Sequence, residues 1–128
     1  MSIKNYLNGI QHIGLPVADM DKTIEFYSSL GFEIAYETVL EGDRVVFLKL
    51  GNLVIESFES KNVAMKTGAI AHVAIDVSDI EAAFNEANKM GLNVLDTITF
   101  LPFWEKGVMF FNVEGPNKET VEFSQVLS

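Results

Sequence analysis

The chain has 128 residues, 48% of them hydrophobic, ten of them Phe and none Cys, and it carries a formal net charge of −9. That is enough apolar material to fill the core of one ordinary domain, and it excludes both disulfides and thiolate metal sites. Nine basic residues scattered among eighteen acids give no basic footprint for nucleic acid; the acidity itself reads as solubility.

The opening MSIKNYLNGIQH lacks the unbroken apolar run of a signal peptide. No later stretch approaches the ~20 apolar residues of a membrane span. The expectation is a soluble, cytoplasmic protein with no membrane partner. IQHIGLPV (10–17) is short, apolar and partly β-branched, which suits a strand. Asp19 then stands where a carboxylate can accept bonds from the free N–H groups of a first helical turn. Ile24, Tyr27 and Leu30 follow at helical spacing, and the glycine of LGF (30–32) supplies a left-handed helix end. Extended patterns come next, near 32–40, 44–50 and 53–58, with EGD (41–43) as turn chemistry. SKNVAMKTG (60–68) has the polar character of a linker.

The second half repeats the first. IAHVAIDV (70–77) is a strand, Asp79 caps a helix, and Ile80, Phe84 and Ala87 form its apolar stripe. MGL (90–92) ends it. Strands are expected near 92–99, 107–113 and 120–125, with GPNK (115–118) as a turn. Sliding residues 10–34 by sixty positions superposes Ile10 on Ile70, His12 on His72, Asp19 on Asp79 and Gly31 on Gly91 without a gap. The chain therefore reads as βαβββ twice over in one domain, with modules at about 8–59 and 69–127.

Side chains alternate across a strand, so residue parity assigns faces. Ile13, Leu15 and Val17 share a packing face, and His12 points the other way. Val73, Ile75 and Val77 do the same against His72. The last strand of each module carries a glutamate amid apolar neighbours, Glu56 in LVIESF and Glu122 in TVEFSQ. An ionised carboxylate within a sheet is costly unless something compensates it. Two imidazoles and two carboxylates are good ligands for a divalent cation. A lone strand histidine is more often a hydrogen-bonded core residue, and a lone strand glutamate usually faces solvent. Repetition at matching places in both modules brings the metal reading level with those alternatives, and the residues alone leave the choice open.

HIGLPVADMDKTIEFYSSLGF (12–32), LVIES (53–57), AHVAIDVSDIEAAF (71–84) and GPNKETVEF (115–123) resemble the vicinal oxygen chelate superfamily, which includes glyoxalase I (lactoylglutathione lyase). The resemblance runs through nearly the whole chain. It implies an α+β fold in which two βαβββ modules form an open, curved eight-stranded mixed sheet, with the helices on the outer face. It also implies a metal set of His12, Glu56, His72 and Glu122, holding nickel, cobalt, zinc or manganese. Glu56 at the second position points to glyoxalase I-like lyases or isomerases, because three-ligand members lack it and methylmalonyl-CoA epimerases often have glutamine there.

By the same resemblance, a substrate with adjacent oxygens would chelate the cation, with Glu122 as the first candidate base and Glu56 acting opposite it. Phe103 and Trp104, in FLPFWEKG (100–107), are expected to wall the substrate pocket or else to pack at a dimer interface. Arg44 is a candidate contact for an anionic substrate group or an ordinary surface residue. No basic patch serves the carboxylates of a glutathione conjugate, so a smaller oxo-acid, a sugar derivative or an acyl-CoA thioester stays open. The rival readings are an epimerase acting beside a carbonyl and a metal-free small-molecule binding protein. Exposed sheet edges lead to the expectation of a homodimer.

Overall fold

The computed structural model describes residues 2–6 and 8–128. After a short 3-10 turn at Ile3–Tyr6, the first module runs β1 (Ile13–Val17), α1 (Met20–Ser29), β2 (Glu33–Leu40), β3 (Asp43–Leu50) and β4 (Leu53–Glu59). The second runs β5 (Val73–Asp76), α2 (Ile80–Lys89), β6 (Asn93–Val94), β7 (Thr99–Leu101), β8 (Val108–Glu114) and β9 (Thr120–Val126). The two compact units part between Val63 and Ala64, within a stretch, 60–72, that carries neither helix nor strand. Among the described residues no helix is long and apolar enough to cross a membrane.

Each helix starts and stops for the same local reasons. Asp19, in extended conformation, accepts the Lys22 backbone N–H at 3.1 Å, and Asp79 accepts that of Ala82 at 3.1 Å, so one orphan donor of each first turn is satisfied. At the other end Gly31 and Gly91 take φ of +100° and +75°. This left-handed step lets Phe32 N–H reach Tyr27 O at 3.0 Å and Leu92 N–H reach Ala87 O at 3.1 Å, the long bond of a Schellman cap. The turn between β2 and β3 is equally local. Leu40 and Asp43 pair across a two-residue loop, Glu41–Gly42, in which both φ values are positive, as a type I′ hairpin requires.

The first module forms a four-stranded sheet in the order β1-β4-β3-β2, in which β1 lies parallel to β4 and the other pairs are antiparallel. Its core lies between the sheet and α1. Met20, Thr23 and Tyr27 are buried from the helix and Val17, Val46, Leu48 and Ile55 from the strands, while Ile24 and Leu30 are half-buried. Ser57, fully buried there, donates its hydroxyl to Val46 O at 2.6 Å, which satisfies a polar group that parity forces inward.

In the second module β5 runs parallel to β9, and the order is β5-β9-β8-β6, with β7 also pairing to β8. Phe111 anchors its core. The ring stacks on Phe123 and meets the edge of Phe84 of α2, both with centroids 5.1 Å apart. One expectation is corrected here. The continuous strand read near 92–99 is two short strands, β6 and β7, so the second sheet has five strands where the repeat suggested four. Leu95 N–H still reaches Asn112 O at 2.8 Å, but the Asp96 carboxylate, not a strand carbonyl, accepts the Asn112 backbone N–H at 2.7 Å. A side chain has replaced a ladder acceptor, and the strand breaks where that happens.

Truncating Phe111 to Ala removes the residue that both α2 and β9 pack on. It should cost ~3–5 kcal/mol, whereas Asp79→Ala, which deletes one cap, should cost ~1 kcal/mol. Urea unfolding midpoints of the two variants check that ordering.

Candidate functional site

The parallel pairing of first and last strands sets the geometry in each module. In the first, Gly14 is the register partner of Glu56, and Phe47 of β3 is its partner on the other side. His12 stands one residue before β1, on the face that alternation gives to Gly14. Its Nε2 lies 3.6 Å from Glu56 Oε1, and its ring meets Phe47 edge-on at 5.6 Å. Tyr36 of β2 pairs with Phe47 and continues the aromatic row. All of this is on the side of the sheet opposite α1. Gly14 leaves room beside the carboxylate, since a Cβ there would sit 3.7 Å from Phe58 and 4.0 Å from Glu56 Oε1.

The second module repeats the arrangement with different neighbours. Ala74 is the register partner of Glu122 and Asn112 is its partner on β8. His72 Nε2 lies 3.9 Å from Glu122 Oε2, with the two side chains 47% and 16% exposed. The pair opens into a cavity of about 690 Å³, a size that takes a small molecule. Phe103, Trp104, Phe110 and Leu101 supply its apolar wall, and Asn112 and Asp96 its polar side.

The donor chemistry of these pairs suits a cation. In the first, the His12 Nδ1 hydrogen goes to Gln11 Oε1 at 2.9 Å. In the neutral ring Nε2 then carries a lone pair, and it faces a carboxylate oxygen at a distance too long for a hydrogen bond. Two electron-rich atoms held side by side call for positive charge between them. Two ligands each about 2.1 Å from one ion at a tetrahedral angle are about 3.4 Å apart, near the separations seen. Among the described residues neither glutamate pairs with a Lys or Arg. Within either module no third His, Asp or Glu joins the pair in a group that could hold a metal, again among the described residues. Each module thus holds one imidazole beside one carboxylate.

Arg44 stands elsewhere. Parity on β3 places it with Val46 and Leu48 on the helix side of the first sheet. Its guanidinium binds Asp21 of α1 at 2.8 Å and Glu37 of β2 at 3.2 Å. The hydrogen bond to Asp21, then that to Glu37, raises its pKa above the ordinary arginine value. With both arms engaged, on the face opposite Glu56, it is not part of the constellation around His12. Phe103 and Trp104 do line the cavity that holds His72 and Glu122. They reach it because Trp104 takes a left-handed φ of +65° and because the loop closes on Gly107, whose φ is +98° and where a Cβ would strike the Phe100 ring.

The sequence that builds this duplicated βαβββ order matches a known family model. Residues 9–123 fit the Glyoxalase/Bleomycin resistance protein/Dioxygenase superfamily. The chain belongs to this superfamily. Within it, the chain is 30% identical to the uncharacterized protein YwbC of Bacillus subtilis, over 91% of this chain and 96% of YwbC. It is 28% identical to the human mitochondrial methylmalonyl-CoA epimerase, over 93% of this chain and 74% of that one. The fosfomycin resistance protein FosX of Listeria monocytogenes, solved with Mn(II) and sulfate, has the same fold at 16% identity. Its TM-score is 0.70 and the match covers 94% of each chain. The vicinal oxygen chelate resemblance seen in the sequence is therefore correct, and so is the α+β class.

Within this superfamily fold, sequence reasoning missed Phe47 and Asn112; each is the cross-strand partner of a glutamate already singled out, and parity on β3 and β8 was the signal that could have placed them on its face. Asp96 carries no such signal. It lies where the sixth strand was expected to continue, and only the break between β6 and β7 turns it towards Asn112.

Arg44→Ala should leave any turnover unchanged and alter stability by at most ~1 kcal/mol, the usual range for exposed ion pairs. Gly107→Ala should cost ~1–2 kcal/mol for its positive φ and shift the emission of Trp104, the one Trp in the chain. Urea unfolding monitored by fluorescence reads both.

Proposed function

We propose that the chain is a metal-dependent lyase or isomerase of the glyoxalase I type, which moves a proton on a carbon beside a carbonyl. The observation that carries this reading is the equivalent placement of two His–Glu pairs, at 3.6 and 3.9 Å, with no basic residue to neutralise either carboxylate. His12, Glu56, His72 and Glu122 would be the ligands of a divalent cation: nickel, cobalt, zinc or manganese. When bound, the cation supplies positive charge that polarises a substrate carbonyl and makes the adjacent C–H more acidic.

The chain's own residues supply the remaining chemistry. Glu122, on the wall of the cavity, is the base that takes the proton from the carbon beside the carbonyl. Returned to the neighbouring carbon, the proton gives isomerisation; returned to the opposite face of the same carbon, it gives epimerisation. Glu56 is the second carboxylate available to donate it. A positioned carboxylate of this kind contributes roughly 10²–10⁴-fold. His12, held by Gln11 through Nδ1, presents Nε2 in one orientation. Phe103 and Trp104 shield the substrate from water. As in the superfamily generally, we expect the working form to be a homodimer acting on a small molecule.

An epimerase is the second reading. It is favoured by the 28% identity to methylmalonyl-CoA epimerase over 93% of this chain, whereas the glutamate at position 56 favours the first. A metal-free binding protein would need neither pair.

Elemental analysis of gently purified protein should find about one divalent ion per chain, lost on dialysis against a chelator. Its absence, with no stoichiometric rebinding, would end both enzymatic readings. With metal present, hemithioacetals of methylglyoxal and several thiols should turn over, and Glu122→Gln should lower kcat by ~10²-fold or more. Loss of α-deuterium from an acyl-CoA, with no turnover of any hemithioacetal, would instead select the epimerase.

A further inference from the structure

We infer that the cavity of the second module takes a polyhydroxylated carbon chain, a sugar or sugar derivative, and that Thr120 and Ser124 grip its hydroxyl groups on either side of Glu122. The inference deepens the proposed function. It rests on that reading's divalent cation at Glu122 and concerns the part of the substrate that lies beyond the cation.

The row of side chains around Glu122 carries the argument. Alternation on β9 puts Val121 and Phe123 in the core and leaves Thr120, Glu122 and Ser124 on the opposite face. All three line the cavity. Alternate residues of a strand stand about 6.6–6.8 Å apart, so one hydroxyl flanks the carboxylate in each direction along the strand. Among the described residues no hydrogen bond engages either hydroxyl, and neither is sealed away from the cavity. A serine or threonine hydroxyl both donates and accepts, which matches an alcohol. Coordination of Glu122 leaves both groups available, because neither is a proposed ligand.

The first module has no such pair. The equivalent places on either side of Glu56 hold Val54 and Phe58. The repeat keeps the glutamate in both modules and changes its flanks, so the hydroxyls belong to the cavity and not to the shared strand pattern.

The other walls suit the same guest. A sugar has polar hydroxyl edges and an apolar C–H face. Phe110 is the cross-strand partner of Ser124, and Phe103 and Trp104 line the same space. Among the described residues none of these rings pairs with another, so their faces are open to C–H groups. On the polar side Asp96 accepts both the backbone N–H and the Nδ2 of Asn112, which leaves Asn112 Oδ1 to accept from a further hydroxyl. The lining holds no Lys or Arg among the described residues. Its side chains therefore offer hydrogen bonds and ring faces rather than the cationic forks that hold phosphates and carboxylates.

Trp104, the one Trp of the chain, reports on the cavity without turnover. Protein as purified, and again after chelator dialysis, is titrated with xylitol, which has no carbonyl to react. The comparison is n-pentanol, which keeps the carbon chain and a single hydroxyl. Xylitol should change Trp104 emission saturably and bind about tenfold more tightly than n-pentanol, or better. Thr120→Val and Ser124→Ala should each weaken xylitol about fivefold and leave n-pentanol unchanged, with metal present or removed. Phe103→Ala should weaken both guests. The n-pentanol titration shows whether a variant still has its cavity. Binding of n-pentanol as tight as that of xylitol, no saturable response to xylitol, or a loss in both hydroxyl variants shared equally by the two guests would each overturn the inference. A metal analysis that finds no cation would end the enzymatic reading and leave the metal-free titrations standing, so the two can fail separately.

Discussion

The parallel contact between the first and last strands of each module is the constraint on which the rest depends. A histidine just before one strand and a glutamate in the middle of another become neighbours only if those strands lie side by side in one register. That register pairs Gly14 with Glu56 and Ala74 with Glu122. Both partners are small, so the space beside each carboxylate stays open on the side where the imidazole approaches. The opposite face of the same strands is packed against a helix. Burial of Val17, Val46 and Leu48 in one module, and of Phe111, Val113 and Val121 in the other, holds the register, because a one-residue slip would turn every core side chain outward.

The two modules share a backbone plan but not an environment. Glu56 has aromatic company, Phe47 and then Tyr36. Glu122 has an amide, Asn112, and a cavity with aromatic walls. The difference traces to a few positions. Where β2 is followed directly by β3 across the two-residue turn Glu41–Gly42, the first module has no counterpart of the loop that follows β7. In the second, the stretch between β7 and β8 carries Phe103 and Trp104, and its left-handed residues bring those rings to the cavity. Repetition has placed a His–Glu pair in each module, and divergence between the copies has set a cavity with aromatic walls beside the second pair.

Charge distribution follows the same logic. The chain is strongly acidic, and among the described residues the Lys and Arg ion pairs form away from Glu56 and Glu122: Arg44 with Asp21 and Glu37, Lys118 with Glu114. Among the described residues no Lys or Arg competes with a cation for Glu56 or Glu122. The chemistry proposed for the site derives from that absence of counter-charge.

Much of this was legible in the sequence because it depends on local rules. The βαβββ order, the aspartate caps, the glycine helix ends and the inward or outward sense of each strand residue follow from spacing and from the period of two along a strand. His12, Glu56, His72 and Glu122 were visible for that reason. What spacing could not supply was any relation set by a side chain reaching across the fold. The sixth strand splits because Asp96 takes an N–H of β8. Arg44 is paired on the helix side of the first sheet because Asp21, 23 positions earlier, faces it from α1. Asn112 is held in place because that same Asp96 accepts both its backbone N–H and its Nδ2. Sequence alone determined which faces exist and what each carries; only the tertiary structure decided which distant side chains meet, because such contacts depend on the packed backbone and not on any repeat along the chain.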